Sequence, residues 1–407
     1  MAKKMLFLFV LLLSLTGMLK AQVTTAGMSG KVMADEESVI GATVVAVHEP
    51  SGTSYGTVTN VDGRFSLQGM RSGGPYKVTV SYIGYQTAIY TGIQLQLGET
   101  YSLNVTLHEA SELLGEITIT ASKSKFSAEK TGATTNISSE QLTTLPSINR
   151  SISDFTRISP YASGNSFGGR DGRSNTFTVD GANLNNNFGL SSGLPGGGNP
   201  ISLDAIDEVQ VVIAPYDVRQ ANFIGAGINA ITKSGTNAYR GSAYMYFNNE
   251  VMRGNKIGDT DFGARAEESK TVYGATFGGP IIKDKLFFFA NVEYEKSPQQ
   301  VITWRAAKEG ETPNNSTISR TTEADLAEFS QILKGKYGYN TGSFTDFPAD
   351  VTNLKLLGRI DWNINQGNKL SVRYNFTNNK TWEAPNGSSG NTGYRLAYNR
   401  VSAYSMS

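Results

Sequence analysis

The sequence contains no cysteine and only two histidines, His48 and His108. Without cysteine the chain has neither disulfide bonds nor thiolate metal ligands, and it offers no cysteine for a lipid anchor. Neither histidine lies at metal-ligand spacing from a pair of acidic residues, so both are expected to be structural. Basic and acidic residues number 36 and 35, so charge gives no reason to expect a nucleic-acid partner. We therefore expect no metal, no cofactor and no nucleic acid.

Long hydrophobic runs are also missing once the first 21 residues are set aside. Residues 1–21 begin with Lys3 and Lys4, continue in an apolar run up to Leu15, and end at Ala21 before Gln22. This pattern is typical of a secretory signal peptide cleaved between Ala21 and Gln22. No later stretch approaches the roughly 18 apolar residues of a transmembrane helix, so any membrane span must be a β-barrel.

Motifs of catalysis are absent too. There is no Ser/His/Asp grouping, no phosphate loop and no zinc-binding helix motif, so we expect no enzyme and no catalytic residue. What the chain has in quantity is glycine (44 residues), tyrosine (19) and phenylalanine (19). This composition favours strands and turns, and it predicts a mainly β protein.

Residues 27–108 read as short strands separated by turn signals. The predicted strands are Met28–Met33, Ala42–Val47, Gly56–Asn60, Arg64–Leu67 and Tyr76–Tyr82. The pair Asp62-Gly63 predicts a two-residue hairpin between the third and fourth of these strands. Such spacing indicates a small sandwich. Residues 30–69 and 76–87 closely resemble the carboxypeptidase regulatory-like domain, which implies a prealbumin-like, carbohydrate-binding-like β-sandwich without catalysis.

Residues 109–235 change character, from a polar linker (109–135) to a region of short helices and glycine- and asparagine-rich loops (136–235). Ser138 and Gln141 make a helix capping box, and a helical face is predicted to contain Ile152, Phe155 and Ile158. Residues 166–187 and 201–237 closely resemble the plug domain of TonB-dependent receptors, in particular the Oar-like branch of Bacteroidetes-type bacteria. The resemblance implies an α+β plug.

Two local patterns in the plug allow other interpretations. Gly225–Ala230 fits the dinucleotide fingerprint G-x-G-x-x-A, but the residues that follow read as strand and turn, which favours a closely packed strand. A set of oxygen-bearing side chains could bind calcium, but it lacks the spacing of an EF-hand loop. Turn formation is the preferred interpretation of that set, which consists of Asp171, Asp180, Asn183 and Asn185–Asn187.

From residue 236 to 407 the hydrophobic period becomes two and the strands lengthen, as a tilted transmembrane strand requires. Apolar and polar residues alternate along Leu354–Ile364, a turn follows at Asn365–Asn368, and the alternation resumes from Lys369. We expect one face to contact lipid and the other water. Similar patterns lie in Asn237–Asn248 and Leu286–Glu295, and residues 278–295 resemble an early barrel hairpin of the same receptor family.

A long surface loop is expected between Ser297 and Val351, with a helix at Glu323–Lys334 capped by Thr322. We count about six or seven strands in residues 236–407, whereas a barrel that encloses a plug has about 22. The predicted barrel is therefore the first part of an incomplete transmembrane antiparallel β-barrel, and we expect the sequence to be the N-terminal part of a longer receptor.

The segment between sandwich and plug resembles the TonB box of the family. It consists of Glu116, Ile117, Thr118, Ile119, Thr120 and Ala121. A short extended segment beside a polar tether can add to the edge of a partner's sheet through backbone hydrogen bonds. The alternative is that these residues form the last strand of the sandwich.

The resemblance implies an outer-membrane receptor for energised uptake of an unidentified ligand, which could be a siderophore, a glycan or a peptide. The implied partners are TonB with its inner-membrane motor, and outer-membrane lipid. The sandwich and plug would lie on the periplasmic side or in the lumen. A secreted or surface-bound, non-enzymatic binding or adhesion protein is the alternative function, and a periplasmic enzyme with a nucleotide-binding fold is a third.

Overall fold

The structure is a computed structural model. The described residues are 23–34, 37–109, 117–120, 133–147, 150–185, 199–215, 217, 220–221, 223–261, 268–300, 305–313, 318–342, 348–383 and 399–406. The predicted signal peptide and its cleavage residues Ala21 and Gln22 lie outside them, as do Glu116 and Ala121 of the box segment. Asn186 and Asn187 also lie outside them.

The N-terminal domain is a sandwich of two five-stranded sheets. One sheet has the order β2-β1-β5, with β8 and β9 parallel to β1, and the other has the order β10-β7-β6-β3-β4. Their strands are β1 Ala26–Ala34, β2 Glu37–Ser38, β3 Thr43–His48, β4 Thr53–Val58, β5 Arg64–Met70, β6 Gly73–Ser81, β7 Ala88–Leu95, β8 Thr100–Ser102, β9 Val105–Leu107 and β10 Ile117–Thr120. Alternate residues of the longer strands enter one core, as Val44 and Ala46 of β3 do.

The predicted Asp62-Gly63 hairpin is wrong. Strand β4 pairs with β3 and strand β5 pairs with β1, so the turn connects the two sheets instead of joining neighbours in one sheet. The amide side chain of Asn60 holds the turn by accepting hydrogen bonds from the backbone N–H groups of Asp62 and Arg64. Asp62 and Gly63 do form a turn, but a tight turn does not by itself determine which sheet each strand joins.

The plug (residues 136–235), together with the first residues of β11 just before it, contains a five-stranded sheet with the order β11-β16-β17-β14-β15. The plug strands are β11 Ala133–Ser138, β12 Ala162–Ser163, β13 Ser166–Phe167, β14 Thr176–Val179, β15 Ala182–Asn183, β16 Ile206–Ala214 and β17 Gly227–Thr232, and β12 pairs with β13 apart from the main sheet. Helices α1 (Ser139–Thr144) and α2 (Ile152–Thr156) follow β11, and single 3₁₀ turns lie at Gly172–Ser174 and Leu203–Ala205.

Two details of the plug helices test the sequence patterns. The predicted capping box is confirmed, because the Gln141 side chain accepts a hydrogen bond from the Ser138 backbone N–H at 3.0 Å. The predicted apolar face of three residues is partly wrong. Ile152 and Phe155 are buried, but α2 ends at Thr156 and Ile158 is 45% exposed. The helical period does not extend beyond the last helical residue.

The third part is a six-stranded antiparallel sheet in which the strands follow the order β18-β21-β22-β25-β26-β27. These strands are β18 Arg240–Asn249, β21 Ser269–Ile282, β22 Leu286–Gln300, β25 Pro348–Asn363, β26 Lys369–Glu383 and β27 Asn399–Met406. The predicted turn at Asn365–Asn368 is confirmed, since the Asn365 side chain accepts hydrogen bonds from the Gly367 and Asn368 backbone.

The two faces of this sheet differ as the alternation predicts. The outward face is apolar and exposed, as Trp362, Leu370, Val372 and Tyr374 show. The inward face is polar, but it is not open to water as expected: Asn353, Lys355 and Asn375 are buried. The plug therefore covers this polar face of the sheet and keeps water away from it.

The insertion between β22 and β25 is shorter than predicted, because β22 continues to Gln300 and β25 starts at Pro348. It contains β23 Arg305–Ala307, β24 Ile318–Thr322 and helix α3 Glu323–Tyr337, while β19 Lys256–Ile257, β20 Thr260–Asp261 and a 3₁₀ turn at Glu250–Arg253 lie between β18 and β21. The Thr322 cap of α3 is confirmed. Among the described residues, no helix is both long and apolar enough to cross a membrane.

Gly30 of β1 tests the packing of the sandwich, since a Cβ atom there would overlap the backbone carbonyl of Leu103. We expect Gly30→Ala to destabilise the sandwich by about 1–3 kcal/mol, the usual cost of overpacking. Gly56→Ala is the matched control, because its nearest neighbour would be the Val44 carbonyl oxygen at 4.0 Å. Calorimetry of the purified protein should show a lowered unfolding temperature for Gly30→Ala alone. Equal temperatures for both variants would contradict the close approach of these two backbones.

Candidate functional site

The candidate box segment lies at the edge of the sandwich. Residues Ile117–Thr120 form β10, which pairs in parallel with Ala88–Thr91 of β7. The segment therefore lies where the alternative interpretation puts it, as the last strand of the sandwich. A contact with TonB is a separate question, because in the strand order β10 has β7 as its one neighbour within the described residues.

The plug packs against the inward face of the barrel sheet through an alternating series of charges. The Arg373 guanidinium lies 3.1 Å from Asp180, and Arg359 lies 3.6 Å from the same carboxylate. Arg359 also contacts Asp361 at 2.9 Å, and Asp361 in turn lies 3.4 Å from Arg71. Since Asp180 belongs to the plug, Arg71 to the sandwich and the rest to the barrel, this series connects all three parts.

A second buried cluster surrounds Glu293 on β22. Lys355 of β25 donates to one carboxylate oxygen at 2.8 Å, and both side chains are almost fully buried. The other oxygen accepts hydrogen bonds from Ser202 of the plug at 2.8 Å and from Tyr244 at 2.9 Å. Arg150 of the plug lies 3.9 Å from the same carboxylate. A buried carboxylate is stable only with such compensation, so the plug completes the environment of the barrel charge.

The sandwich contacts the plug through the loop that follows β7. The backbone N–H of Leu97 donates to Glu208 at 3.1 Å, and the Leu97 carbonyl accepts from Gln210 at 2.5 Å. Glu208 and Gln210 lie two residues apart on β16, so their side chains point to the same face. Gly98 has a φ of 70°, and a Cβ atom there would approach the Gln210 amide nitrogen to 2.8 Å. The loop thus fits closely against the plug.

The sandwich also contacts the barrel, through the turn between β3 and β4. The Pro50 carbonyl accepts from the Asn237 backbone N–H at 2.8 Å, just before β18. The Thr53 hydroxyl accepts from the Asn363 side chain at 2.9 Å, at the end of β25. The sandwich therefore binds plug and barrel at once, at the end of the barrel where the short strand connections lie.

Burial shifts the pKa of several groups in these contacts. Removal from water raises the pKa of Glu208 to about 8, although the Leu97 N–H favours the charged form and acts in the opposite direction. Burial also raises the pKa of the neighbouring Asp207. At neutral pH the Glu208 carboxyl is mostly protonated, so its contact with Leu97 is made mainly by a neutral group.

The two histidines have structural surroundings. His48 is buried, and its Nδ1 lies 2.7 Å from the Ser51 hydroxyl, which lies 2.8 Å from Thr53. Burial and then the charge of Arg71 lower the pKa of His48 to about 3, so the ring is neutral at ordinary pH. The backbone carbonyl of His108 accepts from the Gln86 N–H. Within the described residues, no three His, Cys, Asp or Glu side chains form a group that could hold a metal ion.

Most of the dinucleotide pattern forms a strand, as expected: β17 begins at Gly227, ends at Thr232 and lies between β16 and β14, while Gly225 and Ala226 precede it. A Cβ atom on Gly227 would overlap the ring of Phe223, which accounts for glycine there by close packing. The oxygen-bearing residues considered for calcium binding have different roles. Asp171 caps a 3₁₀ turn through the Arg173 N–H, and Asn183 accepts from the Asn185 N–H, so both form turns.

Asp180 does more than the turn formation expected from the sequence. Its φ of 43° places it in a turn, but its carboxylate also accepts from the Thr232 N–H at 2.8 Å and pairs with Arg373. Sequence patterns also missed Glu208 and Gln210. A signal for them existed, because both are polar residues inside an otherwise apolar strand, where side chains of this kind need a partner.

Two family models match the chain. Residues 27–108 match the carboxypeptidase regulatory-like domain, and residues 231–405 match an outer membrane beta barrel domain. A curated relative, the TonB-dependent transporter Oar of Myxococcus xanthus, is 25% identical over 344 residues. That alignment covers 80% of this chain and 30% of the relative, so the chain spans about a third of the relative's length.

Solved structures with a similar arrangement include two siderophore receptors named PirA. The one from Pseudomonas aeruginosa is 15% identical, with 62% of this chain and 38% of that chain covered and a TM-score of 0.38. The one from Acinetobacter baumannii is 17% identical, with 67% and 43% covered and the same TM-score of 0.38. TM-scores below 0.5 are too low to support a conclusion about this chain.

The outward apolar face, the inward polar face and the matched barrel domain define an outer-membrane β-barrel protein. The match to the carboxypeptidase regulatory-like domain and the 25% identity to Oar make the chain similar to TonB-dependent transporters of the Oar type. Its location is the outer membrane.

The raised pKa of Glu208 predicts that the stability of the plug depends on pH. The folded carboxyl binds a proton up to about pH 8, whereas the unfolded one releases it near pH 4.5, so stability falls as pH rises between these values. Raising the pH from 6 to 8 should therefore cost about 2 kcal/mol. Glu208→Gln keeps an acceptor for Leu97 and should remove the contribution of Glu208, leaving the smaller dependence that the raised pKa of Asp207 causes.

Thermal unfolding of the purified receptor at pH 6 and pH 8 measures the effect. The exposed Glu140 of α1 provides the control, since Glu140→Gln should leave the pH dependence unchanged. If Glu208→Gln showed the same loss of stability with pH as the parent, the Glu208 carboxyl would not be the source.

Proposed function

We propose that the receptor imports a ligand across the outer membrane by displacement of the plug, with energy supplied through TonB and its inner-membrane motor. The relative Oar is described as a TonB-dependent transporter, which supports this proposal. No match supports the alternative of a secreted or surface-bound adhesion protein. The proposal includes no catalytic step, cofactor or metal.

The polar character of the plug–barrel interface carries the proposal. Among the described residues, Phe289 and Leu357 are the barrel side chains that enter the hydrophobic core of the plug. Hydrogen bonds and ion pairs cross the same interface, such as those of Asp180 with Arg373 and of Ser202 with Glu293. Water can replace hydrogen bonds and ion pairs but not apolar packing, so a plug held in this way can be displaced at moderate cost.

The same proposal assigns roles along the chain. Residues 1–21 direct export, with cleavage between Ala21 and Gln22. Residues 27–108 form the periplasmic sandwich, 109–135 the linker with the TonB box at Glu116–Ala121, 136–235 the plug, and 236–407 the first part of the barrel. The ligand class stays open among siderophore, glycan and peptide, because these contacts do not distinguish between them.

The TonB contact is tested by Ile119→Pro. Proline removes the backbone N–H at the centre of the box and is poorly accepted in a paired strand. The affinity of the purified receptor for the C-terminal periplasmic domain of TonB should fall about tenfold or more, equivalent to at least about 1.4 kcal/mol. Ile119→Val keeps the N–H and the β-branched shape and should bind as the parent does. Unchanged binding by Ile119→Pro would refute the assignment of the box.

A further inference from the structure

We propose that the sandwich presents the candidate TonB box as the outermost strand of its sheet, so that a strand of TonB adds to the free edge of β10 while β10 stays paired with β7. This inference rests on the proposed function, because it takes TonB as the partner. It replaces the picture of a box held on a flexible tether with a box held in a rigid sheet.

The pairing of β10 supports this arrangement. Its four residues are in register with four residues of β7, from Ile117 opposite Ala88 to Thr120 opposite Thr91. The strand order β10-β7-β6-β3-β4 places β10 at the end of the sheet. In a sheet, alternate residues direct their backbone N–H and C=O groups to opposite sides, so half of those of β10 face away from β7.

The free edge defines the kind of partner that fits. An extended strand with an unpaired edge of its own can continue the sheet as a sixth strand beyond β10. Such a contact is made by backbone groups and depends little on side chains. Because β10 is already extended and ordered, the partner does not have to order these four residues on binding, and preorganisation of this kind increases affinity.

The position of β7 gives the arrangement a mechanical consequence. Strand β7 ends at Leu95, and two residues later Leu97 is bound on both its N–H and its C=O by Glu208 and Gln210 of the plug. A force applied to β10 therefore reaches the plug sheet through β7 and this loop, in addition to the covalent linker. Strand β7 thus both holds the box in the sheet and transmits force from the box to the plug.

A disulfide trap between β10 and β7 tests the proposal. The chain contains no cysteine, so an introduced pair is the one possible intramolecular bridge. Thr91 and Thr120 are register partners on neighbouring strands, a separation that suits a disulfide. The purified receptor carrying Thr91→Cys and Thr120→Cys is oxidised, the bridge is verified by non-reducing peptide mapping, and binding of the TonB C-terminal domain is measured before and after reduction.

We expect the oxidised receptor to bind this domain with an affinity within about threefold of the reduced form. The receptor with Ser29→Cys and Ser102→Cys, which bridges the parallel pair of β1 and β8, is the matched control. A tenfold or larger loss on oxidation, restored by reductant and absent from the control, would show that β10 has to leave β7 and would overturn the proposal.

Two other outcomes are equally decisive. Failure of the Thr91–Thr120 bridge to form, while the Ser29–Ser102 bridge between the parallel strands β1 and β8 forms, would refute the pairing of β10 with β7 in the receptor. Failure of the parent receptor to bind the TonB domain would refute the proposed function itself, and it is distinguished from failure of the inference because it occurs without any introduced cysteine.

Discussion

The inward face of the barrel sheet consists of polar and charged side chains that are removed from water, and the other two domains are arranged to compensate them. Lys355 and Glu293 are almost fully buried on neighbouring strands. A buried ion pair is stable only when its remaining hydrogen-bonding capacity is also satisfied. Ser202 of the plug supplies part of that capacity, so plug and wall depend on each other.

The sandwich extends this dependence to a third domain. Its Arg71 joins the charge series at Asp361, its turn after β3 contacts the strand ends, and its loop at Leu97 contacts the plug. These contacts are made by three separate regions of the sandwich. These contacts fix the orientation of the sandwich relative to both plug and barrel. A box strand in the sheet of the sandwich therefore has a defined position relative to the plug.

Much of this fold can be predicted from the sequence where local patterns determine structure. The alternation along Leu354–Ile364 identifies a barrel strand because lipid and plug impose opposite polarity on its two faces. The Thr322 cap and the Ser138–Gln141 pair identify helix starts because both act within a few residues. The absence of a helix signal after Gly225–Ala230 favours a strand, and strand β17 begins at Gly227.

Contacts between distant segments could not be predicted in this way. Asp62-Gly63 indicates a turn, but the sheet that each flanking strand joins depends on β1 and β3, which the turn does not contact. Glu208 meets Leu97 across 111 residues of sequence. Asp180 has both a local role in a turn and a distant one opposite Arg373, and only the local role has a sequence pattern.

The loop between β7 and β8 has an implication for the modularity of such receptors. Its shape requires glycine at position 98, and its two backbone groups at Leu97 match Glu208 and Gln210 of a plug strand more than 100 residues away. A sandwich transplanted onto another receptor's plug would lose this match even if both domains folded well. The loop and strand β16 therefore have to be inherited together, and they form a natural unit for the construction of chimeric receptors.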